Sequence, residues 1–131
     1  MAYLADDGER ILDALMAMVV VDGEIDRDEL AQVKGVYVDL TGETLDPAAL
    51  ASRAARRLHS DDPAQLHPDL GVGLDEGAKR RVMAAAYAVA EADGFVLEEE
   101  DQLLLLLSRA LGLSEDVYRL AMSGLLSTSS S

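Results

Sequence analysis

Met18-Val19-Val20-Val21-Asp22-Gly23-Glu24-Ile25 returns as Val89-Ala90-Glu91-Ala92-Asp93-Gly94-Phe95-Val96, at an offset of 71 residues. Each copy is an apolar stretch that breaks at Asp-Gly, resumes with an apolar residue two positions later, and reaches a glutamate, Glu29 or Glu100, seven residues after the aspartate. Glycine takes the left-handed conformation that commonly ends a helix, and aspartate bonds to the backbone of such turns. The repeat therefore predicts one unit made twice: helix, Asp-Gly turn, helix.

Working outward from the first copy, Ile11, Leu12, Leu15, Met16, Val19 and Val20 recur at helical spacing, with Gly8-Glu9-Arg10 as the start. After the turn, Asp26-Arg27-Asp28-Glu29 resembles a capping box with aspartate in the first position, and Leu30, Val33, Val36, Tyr37 and Leu40 form the stripe of a second helix ending near Thr41-Gly42. Asp46-Pro47 starts a third helix that runs to about Leu58. From His59 to Gly73 the periodicity fails at Pro63, Pro68, Gly71 and Gly73, with room for one short turn over Pro63 to His67. Asp75 caps a fourth helix through Val82, Met83, Ala86, Tyr87, Val89 and Ala90, and a fifth runs from about Glu98 to Leu111. Gly112 closes it and Ser114 caps a last one. The unbroken run Leu103 to Leu107 marks the fifth helix as the expected centre of the core. The reading is all-α: a compact bundle of about six to seven helices in a single domain over 1–126, with a small, polar, disordered tail at 127–131.

Composition agrees. Hydrophobic residues make up 50% of the 131 and aromatic ones only 4%, so the core must be built from Ala, Leu and Val, which suits close-packed helices better than a sheet. A formal charge of -14 argues against a duplex nucleic-acid partner, whose phosphates would be repelled. The absence of cysteine excludes disulfides, thiolate ligands and thiol redox chemistry, so any metal would be held by oxygen. The acidic start Met1 to Asp7 lacks the basic region of a secretory signal, and the run Leu15 to Val21 is far shorter than a membrane span. A soluble, cytoplasmic protein without a transmembrane segment is expected.

Two chemistries compete for the repeated turn. In the first, glycine reverses the chain, aspartate caps, and Ile25 or Val96 plugs the core. In the second, Asp22, Asp26 and Glu29, or Asp93 with Glu91 and Glu100, supply oxygen ligands to a hard divalent cation such as calcium or magnesium. A true EF-hand is excluded, because its first and third ligand positions would fall on Met18 and Val20 in one copy and on Val89 and Glu91 in the other.

The apolar helix, the Asp-Gly-(Glu/Phe)-(Ile/Val) turn, the acidic helix start and the Leu-rich helix ending in Leu111-Gly112-Leu113 together resemble the TerB-like domain. The similarity covers nearly the whole chain and is clearest from Ala85 to Gly94 and on through Ala110 to Leu113. It implies an all-α bundle of bacterial tellurite-resistance and stress-response systems, related to the N-terminal region of DjlA-type membrane co-chaperones and acting as a binding or scaffold module without catalysis. It also implies metal-chelating acidic residues, which fall here on Asp22, Glu29, Asp93 and Glu100. The implied partner is a protein, in a membrane-associated stress-response complex, which places the chain in the cytoplasm or peripherally at the inner membrane. Two departures make the turns unequal: Phe95 stands where the family has an acidic residue, and Leu97 where the first copy has Asp26.

Outside the turns, six of the 11 basic residues form two clusters, Arg53-Arg56-Arg57 and Lys79-Arg80-Arg81, flanking the central connection. They read either as solvated helix faces or, folded together, as a cationic docking patch for an acidic partner or a lipid headgroup; a tellurite oxyanion would also prefer this patch to the acidic turns. His59 and His67 frame Ser60-Asp61-Asp62 but match no zinc spacing and read as surface histidines. With no cysteine nucleophile, no Gly-rich phosphate loop and no Glu-x-x-His pair, no enzymatic activity is expected.

Overall fold

The computed structural model describes residues 8–21, 23–62, 65, 66, 70–92, 94, 98–114, 116 and 119. Five helices follow one another in these residues: α1 (Gly8–Val20), α2 (Arg27–Thr41), α3 (Pro47–Leu58), α4 (Glu76–Ala90) and α5 (Glu98–Ala110). Among the described residues there is no strand, and the bundle is all-α as expected. The additional turn over Pro63 to His67, the helix after Ser114 and the tail at 127–131 lie wholly or largely outside the described residues.

The helix starts are set by local chemistry. Asp26 Oδ1 accepts the amides of Asp28 (2.8 Å) and Glu29 (3.1 Å), Asp46 Oδ2 accepts that of Ala49 (3.3 Å), and Asp75 Oδ1 that of Ala78 (2.7 Å). These aspartates satisfy helix N-H groups that would otherwise lack partners and place negative charge at the positive end of the dipole. At the end of α5 the Leu113 amide donates to the Ser108 carbonyl and that of Gly112 to the Arg109 carbonyl, the paired bonds of a Schellman cap.

Packing departs from the sequence reading in one respect: α1, and not α5, occupies the centre. Ten of its 13 residues are buried, and it packs against all four other helices. Its small Ala14 and Ala17 let neighbours approach, while Ile11, Leu15, Met16 and Met18 fill the space between them. Among the described residues, helix α5 packs mainly on α4 and α1, which cover one of its faces. Leu103, Leu104 and Leu107 are buried there, but Leu106 is 51% exposed. At 100° per residue, five consecutive leucines are all enclosed only when a helix is surrounded, and α5 is not.

The central connection is held at two points. Leu70 and Leu74 are buried on either side of a turn closed by the Leu74 amide on the Gly71 carbonyl (3.2 Å), and this turn abuts the end of α5 at Leu111. Arg10 of α1 donates to the Val72 carbonyl (3.1 Å).

Candidate functional site

The repeated motif is a repeat of backbone as well as of sequence. The Gly23 amide donates to the Val20 carbonyl (2.9 Å) and the Gly94 amide to the Glu91 carbonyl (2.9 Å), and both glycines have positive φ, 86° and 105°. An L side chain rarely adopts that conformation, which is why the turn takes glycine in both copies. Asp22 and Asp93 themselves lie outside the described residues.

The other residues predicted at the turns separate into two kinds. Asp26 is a cap, with one carboxylate oxygen accepting two amides. Glu29 and Glu100 instead lie inside the protein, 2% and 1% exposed. They are the equivalent residues of the two copies, so the duplication carries a buried carboxylate with it. The sequence reading places Glu29 in a capping box and takes Glu29 and Glu100 as candidate cation ligands, without anticipating that both are buried. The signal was nevertheless present: Glu29 lies on one stripe with Val33, Tyr37 and Leu40, and Glu100 with Leu104, Leu107 and Leu111, all of them buried. Among the described residues no three His, Asp or Glu side chains gather into a metal-binding group, so a cation would need Asp22 or Asp93 to complete its shell.

The two basic clusters occupy different places. Arg53 donates to Glu9 (2.9 Å) and Asp13 (3.0 Å), tying α3 to α1. Arg57 donates to the Gln65 carbonyl and fastens the start of the central connection to the same helix. With Arg56, Ser60 and Asp62 these groups line a cavity of about 590 Å³ between α1, α3 and the connection. Burial pushes the Arg57 guanidinium below its usual pKa, while Asp13 and Asp62 act in the opposite sense. From the second cluster, Lys79 lines a separate hollow of about 340 Å³ with Val72 and Arg109. Arg80 pairs with Glu76 on the exposed face of α4 (2.9 Å), and Arg81 donates to the Asp39 carbonyl of α2 (3.3 Å). His59 is exposed at the end of α3, and His67 lies outside the described residues.

Residues 11–123 match the family model described as tellurite resistance protein TerB. The chain belongs to the TerB family. The matched span contains both Asp-Gly turns, the two buried glutamates, the arginine-lined cavity, and every helix apart from the first turn of α1. No curated protein and no solved structure matches the chain. Among the described residues of this TerB fold no helix is long and apolar enough to cross a membrane.

Proposed function

We propose that this TerB-family chain is a non-catalytic binding module of a bacterial metal or envelope stress response, and that its acidic turns hold a divalent cation, calcium or magnesium. The reading is supported above all by Glu29 and Glu100, two carboxylates buried at equivalent positions of the two repeats. Removing a carboxylate from water costs several kcal/mol, so a buried one calls for compensating charge or hydrogen bonds. A hard cation beside the carboxylate offsets that cost, and an oxygen-only donor set without cysteine suits calcium or magnesium. At the first turn Glu29 and Asp22 would hold the ion, at the second Glu100 and Asp93. Bound there, the cation would cross-link each turn to the helix that follows. The protein would present these stiffened turns to a protein partner, in the cytoplasm or at the inner face of the membrane.

A structural adaptor of co-chaperone type, binding a protein partner without metal, is the second reading. It is favoured by Asp26, whose Oδ1 is engaged in capping. Titration of chelator-treated protein with calcium and with magnesium, followed by calorimetry and by the amide resonances of Gly23 and Gly94, separates the two. The cation reading expects saturable shifts at Gly23 that Glu29→Gln abolishes. Resonances of Gly23 and Gly94 that stay in place at millimolar calcium and magnesium would leave the adaptor.

A further inference from the structure

The cavity between α1 and α3 carries charges of both signs, and they divide into two functional groups. Arg53 is occupied by Glu9 and Asp13 and serves as a strut. Arg56 is exposed and, among the described residues, forms no ion pair, while Arg57 is half-buried and donates to the Gln65 carbonyl. The carboxylates Asp13 and Asp62 line the same cavity.

We propose that this cavity binds a small phosphorylated polyol, a sugar phosphate, with the phosphoryl group on Arg56 and Arg57 and the hydroxyls on Asp13 and Asp62. Guanidinium forks match phosphate oxygens bidentately, and an arginine already held in place loses less freedom on binding. A phosphoryl group alone leaves the aspartates without a role, whereas sugar hydroxyls donate hydrogen bonds to carboxylates. At about 590 Å³ the cavity falls in the range of small-molecule sites and is much larger than one phosphate requires. The described lining residues include no aromatic ring, so a nucleobase has no stacking platform and a nucleotide is disfavoured. With a formal charge of -14 the protein does not attract anions at long range, so recognition rests on these contacts alone.

The test uses the full chain, chelator-treated and at constant ionic strength, titrated with glucose 6-phosphate, glucose, inorganic phosphate and AMP while amide and arginine side-chain resonances are followed. Glucose 6-phosphate is expected to shift Ser60, Gln65 and the Arg56 and Arg57 side chains saturably, with inorganic phosphate and AMP about tenfold weaker and glucose silent. Arg56→Gln, at an exposed position that leaves the core intact, should weaken binding of the sugar phosphate about tenfold. Asp62→Asn should weaken the sugar phosphate and spare inorganic phosphate. Unmoved resonances at about 10 mM glucose 6-phosphate, equal binding of inorganic phosphate, or an Arg56→Gln protein that binds unchanged would each overturn the proposal. The site shares no residue with the acidic turns, so failure here leaves the cation reading intact.

Discussion

Replacing Gly71 by alanine places a methyl group where the structure has backbone. A Cβ there would lie 2.2 Å from the carbonyl oxygen of Leu111, 2.6 Å from its carbonyl carbon and 2.9 Å from its Cα. Non-bonded carbons are comfortable at about 3.5 Å, so the turn must withdraw from the end of α5 by about 1 Å. No side-chain rotation relieves the clash, because every near atom belongs to main chain. Overpacking of this kind costs about 1–3 kcal/mol. Withdrawal also loosens Leu70 and Leu111, both buried at this junction, and the loss of much of one leucine's burial adds about 1–2 kcal/mol. The expected total is about 3 kcal/mol. For a chain of this size that lowers the melting temperature by about 10 °C. Gly73→Ala, two residues along, is the control: nothing lies within 4 Å of its added Cβ, but its φ of 83° is unfavourable for alanine. It should cost about 1 kcal/mol, or about 4 °C. Thermal melts followed by circular dichroism measure both, and faster amide exchange at Leu111 and Leu113 reports the local opening. The reasoning is refuted if Gly71→Ala melts no lower than Gly73→Ala.

Gly35→Ala should act in the opposite direction, because Gly35 is exposed within α2, has no positive φ and would meet nothing within 4 Å. A stabilisation of about 0.5–1 kcal/mol, or about 3 °C in a thermal melt, is expected. Asp26→Ala removes an acceptor shared by two amides at the start of α2 and should cost about 1 kcal/mol, seen as a lower urea midpoint at unchanged slope, whereas Asp26→Asn should retain most of the stability. Tyr37 and Tyr87 both have phenol pKa values raised by burial first, with Glu43 and Glu91 adding to the shift. Their neutral forms are favoured in the folded state, so the contribution is full below the ordinary phenol value and is lost as pH rises through the higher folded values. Unfolding free energy should therefore fall above about pH 10, and Tyr87→Phe should flatten that fall, as measured by denaturation paired with tyrosinate absorbance.

The parts of this fold that were legible in the sequence are those decided within one turn of chain. Asp26, Asp46 and Asp75 each cap the helix they were expected to cap, and Gly23 and Gly94 reverse the chain where the repeat predicts. Burial was less legible, because it depends on which helix the others surround. Leu103 to Leu107 is the longest leucine run, yet α1, with Ala14 and Ala17 interleaved among larger residues, takes the centre because small side chains admit several neighbours at once. The arginines show the same limit. Arg53 finds its carboxylates 40 and 44 residues earlier in the chain, a pairing that spacing alone does not encode.

The duplication also explains where the two candidate sites fall. At the offset of 71 residues, Leu12 corresponds to Met83, Leu15 to Ala86 and Val19 to Ala90, and all six are buried, so α1 and α4 are one helix used twice. The correspondence fails at Asp13, whose counterpart is Ala84. Asp13 faces the arginines of α3, and at the same offset Arg53, Arg56 and Arg57 correspond to Gly124, Ser127 and Thr128, so neither the acid nor the bases of this cavity are repeated in the sequence. The acidic turns are thus products of the repeat, and the arginine-lined cavity arises where its symmetry is broken. A substitution such as Arg56→Gln consequently acts on a surface that the second half of the chain does not duplicate, whereas loss of Glu29 leaves Glu100 in an equivalent place. The two positions therefore differ in redundancy: any effect of Arg56→Gln must appear in the single variant, while full loss of a cation function shared by both turns requires Glu29 and Glu100 to be replaced together.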